Sequence, residues 1–264
     1  MIRLSRIISA LVVNFILLQP VQAQQMLIYM DLAQSDHLKA YGIAFQALEE
    51  GLGVEWLLNY RGGSFVLPAT QEFVRMARIR GVGFTPVSGG DLSQIYADIE
   101  QNNMERVTLE KPPKIAVYTP SETRPWDDAV TMALEYAEVP YEKLWDEEVL
   151  TGKLDDYDWL HLHHEDFTGQ YSKFYSYHRM PWYQQEQASS ENLAQRLGFP
   201  TVPEEKKAVA RTIRSFVSQG GFLFAMCAAT ETLEIALSAE FTDMVAPEYD
   251  GTPFDLDSQA KLDF

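Results

Sequence analysis

Residues 206–236, KKAVARTIRSFVSQGGFLFAMCAATETLEIA, constrain this chain most: a helix, a glycine pair, an apolar strand and the single cysteine follow one another without a break. Val209, Ile213 and Phe216 recur at spacings of four and three, which is one apolar stripe of a helix. Gly220 and Gly221 end that helix, because glycine takes the left-handed conformation without a Cβ penalty. Phe222 to Met226 is an unbroken apolar run, which predicts a central strand of a parallel sheet, covered on both faces. Cys227 follows at once, and Thr230 with Glu231 opens the next helix. In open α/β sheets ligands bind outside the carboxyl ends of the strands, which is where this corner places Cys227. Two readings of Cys227 stay open: a reactive thiol at a corner, or a small side chain buried under a helix.

The chain begins with the pattern of a leader. Arg3 and Arg6 precede an apolar run at residues 7–18, and Val21-Gln22-Ala23 forms a small-residue cleavage site. A twelve-residue run is too short for a bilayer, which needs roughly 20 residues. The expectation is therefore a signal peptide over 1–23, no membrane span after its removal, and a periplasmic or secreted protein. The formal charge of −17 becomes −19 without Arg3 and Arg6. Such a surface repels phosphate backbones, so nucleic acid is excluded as a partner class. One cysteine permits no internal disulfide.

Beyond the leader, strand-like and helix-like segments alternate. Strands are expected at 25–30 (QMLIYM), 54–59 (VEWLLN), 64–67 and 81–87, and helices at 37–52, 70–80 and 91–101. This alternation predicts an α/β N-terminal portion over 24–110 with a mainly parallel sheet. The paired prolines of LEKPP (109–113) stop any element and mark the domain boundary. A second α/β domain then spans 111–264, with strands at 114–118, 141–145 and 159–162 before the cysteine segment. Residues 259–264 (QAKLDF) read as the start of another element, the pattern of a domain truncated at its carboxyl end.

The densest polar cluster is HLHHED at 161–166, with three of the five histidines in four residues at the end of a strand. Alternation along the strand puts His161 and His163 on one side, spaced to share a ligand or metal. His163 or His164 is also placed to serve Cys227 as a base, since adjacent parallel strands end near one another. No ligand-spacing motif for zinc accompanies them, and no metal or cofactor is assigned. The candidate catalytic residues are Cys227, His163, His164 and Glu165. The candidate ligand-binding residues are His161 and Asp166 with Tyr171, Trp182 and Tyr183 from an aromatic loop at 167–183, which suits a small molecule, sugar or peptide. Asp127 and Asp128 are expected in a helix's first turn, where they favour the dipole. Ser88-Gly89-Gly90-Asp91 departs from the SGGxDS order of ATP pyrophosphatases and is expected to cap the following helix.

The helix, Gly-Gly turn, apolar strand and cysteine resemble the class I glutamine amidotransferase-like fold, in which this sequence of elements forms a nucleophile elbow. The resemblance covers residues 114–239 and implies a flavodoxin-like parallel sheet with helices on both faces. That family writes its elbow G-x-C-x-G, whereas this chain has Ala225-Met226-Cys227-Ala228-Ala229, and all five histidines precede Cys227 rather than following it. An amidotransferase-like protein lacking glutaminase activity is therefore expected. Two alternatives remain: an amide hydrolase with a base from the HLHHED loop, and a sugar- or peptide-binding module. The stretches HLKAYGIAFQALEEGLGVEWLLNYRGG, DYDWLHLHHEDFTGQY and GGFLFAMCAATET also resemble uncharacterised secreted bacterial proteins labelled asparagine synthetase B. A synthetase of that type needs an amino-terminal cysteine and an ATP loop, and this chain shows neither.

Overall fold

The computed structural model describes residues 24–121, 128–169 and 175–264; the expected leader and Tyr171 lie outside them. The chain divides into two compact units, 1–112 and 113–264, close to the boundary expected at LEKPP. It is mixed α/β, with one sheet in each unit. No helix of the described residues is long and apolar enough to cross a membrane.

The first unit runs β1 (Gln25–Ile28), α1 (His37–Glu49), β2 (Val54–Leu58), β3 (Ser64–Pro68), α2 (Gln71–Ile79), β4 (Thr85–Val87), α3 (Gly89–Gln101), β5 (Glu105–Leu109). Its sheet has the order β4-β1-β3-β2-β5, and every adjacent pair is antiparallel. This corrects the expectation of a mainly parallel sheet here. All three strand–helix–strand units are split: β3 inserts between β1 and β2, β1 between β3 and β4, and the other three strands between β4 and β5, so the alternation survives without a parallel pair. The tight β2–β3 connection makes this possible. Gly62 there has φ +81° and lies so close to Met30 that an added Cβ would sit 2.4 Å from its carbonyl oxygen. Helices α1 and α2 bury Ile43, Ala47, Phe73 and Ala77 against one sheet face. On the other, Ile99 of α3 packs with Leu27, Leu57 and Val66. Ser88 caps α3 as expected, in a reciprocal capping box with Asp91. Strand β5 was not anticipated; it is a mostly exposed edge strand, ERVTL, in which only Val107 and Leu109 are partly covered, too short an alternation to announce a strand.

The second unit runs β6 (Ile115–Tyr118), α4 (Ala129–Ala137), β7 (Glu142–Leu144), α5 (Asp146–Leu150), β8 (Trp159–Leu162), α6 (Pro181–Arg196), α7 (Val202–Ser218), β9 (Phe222–Ala225), α8 (Ala228–Ser238). Its strands are all parallel, in the order β7-β6-β8-β9. The chain moves outward from β6 to β7 and then crosses to β8, so direction reverses between β6 and β8. Ala116, Tyr118, Leu160 and Leu162 face a core closed by Val149 of α5, Val209 and Ile213 of α7, and Leu233 of α8. Strand β9 differs from expectation in two ways. It is the sheet edge rather than a central strand, and Phe222 and Phe224 are 57 % and 45 % exposed, so only its Leu223–Ala225 face is covered. An unbroken apolar run does not by itself distinguish these cases.

A buried charged network sits under the carboxyl end of β6. Lys206 Nζ donates to Asp146 Oδ2 at 2.7 Å and Oδ1 at 2.8 Å, and to the Tyr118 hydroxyl at 3.0 Å. The Tyr118 hydroxyl in turn donates to Asp146. Next to Lys206, Glu205 is buried with Oε1 lacking a hydrogen-bond partner, and burial followed by the Asp146 charge pushes its carboxyl up to about 7 from an ordinary 4.5. As pH rises through this interval the unfolded chain ionises first, so this group's contribution to stability falls between about 4.5 and 7 and stays low above. Glu205→Gln is expected to raise the midpoint of thermal unfolding at pH 8 by the equivalent of about 1 kcal/mol, after allowance for solvent screening, and to change it little at pH 4. Equal effects at both pH values in calorimetry would contradict this assignment.

Candidate functional site

Three carboxyl ends of the second sheet converge on one region. After β6, Asp128 caps α4: its Oδ1 accepts the Val130 amide at 2.7 Å and the Thr131 amide at 2.9 Å. It is the cap residue itself rather than part of the first turn, and Asp127 lies outside the described residues. After β8, His163 turns its Nδ1 onto Asp128 Oδ2. Burial opposes ionisation of Asp128, but the His163 hydrogen bond and the two helix amides outweigh it and hold the carboxyl below its ordinary value of 3.8. An ionised carboxylate only accepts hydrogen bonds, so Nδ1 carries the proton, and the neutral tautomer this selects has its lone pair on Nε2.

After β9 comes Cys227, exposed, with φ 51° and ψ −136°. Positive φ is rare for a residue with a side chain and costs on the order of 1–3 kcal/mol where it persists. The corner is tied to β8 by hydrogen bonds from Met226 N–H to the Leu162 carbonyl at 3.0 Å and from Ala229 N–H to the His163 carbonyl at 3.2 Å. The flanking alanines do not prevent the sharp corner. The positive φ is confined to Cys227, and Ala225, Ala228 and Ala229 keep ordinary conformations. Ala228 opens α8, so its N–H has no partner within the helix. Among the described residues, no hydrogen bond joins the Cys227 sulfur to an imidazole.

The rest of HLHHED divides by role. Just beyond the end of β8 the side chains no longer alternate between faces, and the His163 and His164 rings stack with centroids 3.5 Å apart. His161 lies on the strand, fully buried, 6.1 Å from the His163 ring and stacked on Phe224 at 5.7 Å. Neither of its ring nitrogens makes a hydrogen bond of ordinary geometry. Burial holds its imidazole below the usual 6.5, although the Asp128 charge and the nearby Phe224 backbone act the other way. Glu165 is a structural partner: its Oε2 accepts the His163 amide at 2.9 Å, and burial raises its carboxyl. Asp166 accepts the Thr168 amide at 2.8 Å and closes a local turn.

Within the described part of the aromatic segment, Tyr175–Tyr177 form a short 3-10 turn and only its last three residues are helical. Helix α6 starts at Pro181, Tyr183 in its first turn is 3 % exposed, and Phe167 is buried against Tyr118. Trp182 is half exposed and joins Trp145, Lys143, Glu186 and Arg196 around a groove beside the carboxyl ends of β6 and β7. The residue that sequence reading missed is Asp128. Its signal was its place after a strand, although only the fold reveals that this strand neighbours β8. Comparison with protein-family models, with curated proteins and with solved structures finds no match for this chain.

Proposed function

We infer that the second unit is a flavodoxin-like, class I glutamine amidotransferase-like domain that carries out cysteine-dependent acyl transfer or hydrolysis on an amide, in a protein exported behind the leader at 1–23. The observation that carries this reading is the strained corner at Cys227 after β9, on the strand next to β8, whose end carries His163 and its partner Asp128. A sulfur held exposed on such a turn is the arrangement of a nucleophile elbow, and the Ala228 N–H just after it is the expected oxyanion donor. Cys227 would attack the carbonyl carbon while its proton passes to His163 Nε2. That proton then goes to the departing amine, and water releases the acyl group from the thioester. Asp128 fixes the tautomer that makes Nε2 the base. In the absence of substrate, catalytic hydrogen bonds are often long, so an unmade Cys227–His163 bond is compatible with this reading. Glutamine is not the expected substrate, because an exported protein has no evident synthase partner to receive ammonia.

The test is iodoacetamide alkylation of Cys227 in metal-free buffer. At pH 7, His163→Ala is expected to slow it by about 10- to 30-fold, the range between a largely formed thiolate and a thiol without a base, and Asp128→Asn by a smaller factor, with the fold unchanged by circular dichroism. An alkylation rate equal to wild type in His163→Ala would remove the base from this reading. The Trp145–Trp182 groove favours a second reading, a sugar- or peptide-binding module, which such a result would leave standing.

A further inference from the structure

Asp128, His163 and His164 each offer a donor atom, and these three atoms all lie within 4.8 Å of one another. Cys227 is not part of this group. Two imidazoles and a carboxylate suit zinc and neighbouring first-row ions and are poor donors for magnesium or calcium. Ligands at about 2.0–2.1 Å in a tetrahedral site lie roughly 3.3 Å apart, so modest side-chain rotation closes the set. Asp128 is preorganised for the task, since the Val130 and Thr131 amides hold one oxygen and leave the other aimed at His163. His164 is exposed, which gives an ion a route from solvent.

A second observation points to a ligand at the same place. His161 is fully buried beside His163, and neither ring nitrogen makes a hydrogen bond of ordinary geometry, although the Phe224 backbone lies near. Leaving a buried polar group unsatisfied costs about 1–3 kcal/mol, and natural structures keep such groups mostly where a ligand, water or ion completes them. Replacing the His163 proton with an ion, and completing that ion's coordination with water, would give the His161 ring a polar neighbour.

We propose that Asp128, His163 and His164 form a binding site for one divalent first-row transition ion. The ion takes the place of the proton between Asp128 Oδ2 and His163 Nδ1, and that proton moves to Nε2 of the same ring. His164 is the third protein ligand, and the fourth position is open to water or a small ligand. The proposal shares His163 with the cysteine-dependent reading, but not its chemistry. An ion on Nδ1 leaves Nε2 protonated, so the same histidine cannot hold the ion and act as base at once.

The experiment titrates Co²⁺, and Zn²⁺ in competition, into the purified, tag-free chain after EDTA treatment, following cobalt d–d absorption and calorimetric stoichiometry. One ion per chain is expected, displaced by Zn²⁺ and unaffected by excess Mg²⁺ or Ca²⁺. His164→Ala and Asp128→Ala should each weaken binding by about 100-fold or more, since even partners behind the ligands contribute about 10- to 100-fold. His164→Gln, which keeps a polar side chain of similar size, guards against a folding effect and should weaken binding equally. Cys227→Ala should bind as wild type does. No binding at micromolar Co²⁺ or Zn²⁺, undiminished binding in His164→Ala and His164→Gln, or loss of binding in Cys227→Ala would each overturn the proposal. Because these readouts need no thiol reactivity, and the alkylation test is run without metal, failure of either reading is seen separately.

Discussion

Lys206→Met should destabilise the second unit by about 3–5 kcal/mol, the cost of leaving a buried carboxylate without its partner. Lys206 and Asp146 are 8 % and 2 % exposed, and the lysine makes three hydrogen bonds within the network. Its Nζ also lies 4.2 Å from the centre of the Trp145 ring, which adds a cation–π contact in a site short of water. Removing the ammonium leaves Asp146 facing the Tyr118 hydroxyl alone. The pair's own net contribution is a separate matter. Replacing both groups with apolar ones of similar volume is often neutral, so Lys206→Met/Asp146→Leu should recover most of the loss. Urea unfolding followed by Trp145-sensitive fluorescence would measure both. A single variant within about 1 kcal/mol of wild type would show that the network does not bear on stability.

Phe167→Ala is expected to cost about 3–5 kcal/mol, from lost transfer energy plus the cavity left behind. Phe167 is fully buried, its ring 5.2 Å from Tyr118, which is itself stacked on Trp145 at 4.6 Å. It anchors the far end of the segment that begins at the end of β8, while Thr232 Oγ1 donates to the Glu165 carbonyl at 3.0 Å in the middle. The loss should therefore appear locally as well. Amides of residues 163–166 should exchange faster in Phe167→Ala than the global destabilisation accounts for, and Phe167→Leu should restore most of both. Uniform acceleration across the unit would deny the segment this anchor.

The helix–turn–strand–cysteine segment was legible because each element announces itself locally: a 3.6-residue stripe, a glycine stop, an apolar run and a cap. The direction of neighbouring strands is not local. Nothing in residues 25–87 distinguishes a split arrangement from a parallel one, since both alternate strands and helices and differ only in which strand inserts where. Strand β5 escaped notice for a related reason: one edge strand contributes paired backbone and little apolar surface. The site was half visible. That the strands carrying His163 and Cys227 end side by side could be reasoned from the sequence. The role of Asp128 could not, because a capping aspartate and an aspartate that also orients a histidine look the same in sequence. The His161 and His163 rings lie 6.1 Å apart. The burial of His161 beneath Phe224 depends on a register that only the folded sheet defines.

The order of strands in the first unit also dictates a sequence of events during synthesis. Strand β1 is the first to emerge, yet it lies inside the sheet, with Gln25 opposite both Pro68 and Val87. Neither neighbour exists until β3 and β4 have been made, so β1 must wait for chain about 40 to 60 residues downstream, an entropic delay typical of non-local pairing. Until then Met26, Leu27 and Ile28 form an apolar stretch with no sheet to join, the kind of exposed strand that binds chaperones or aggregates. A ribosome-paused or truncated chain ending before β3 would thus be the most aggregation-prone form of the protein, and one ending after Val87 the earliest able to close the sheet around its own beginning.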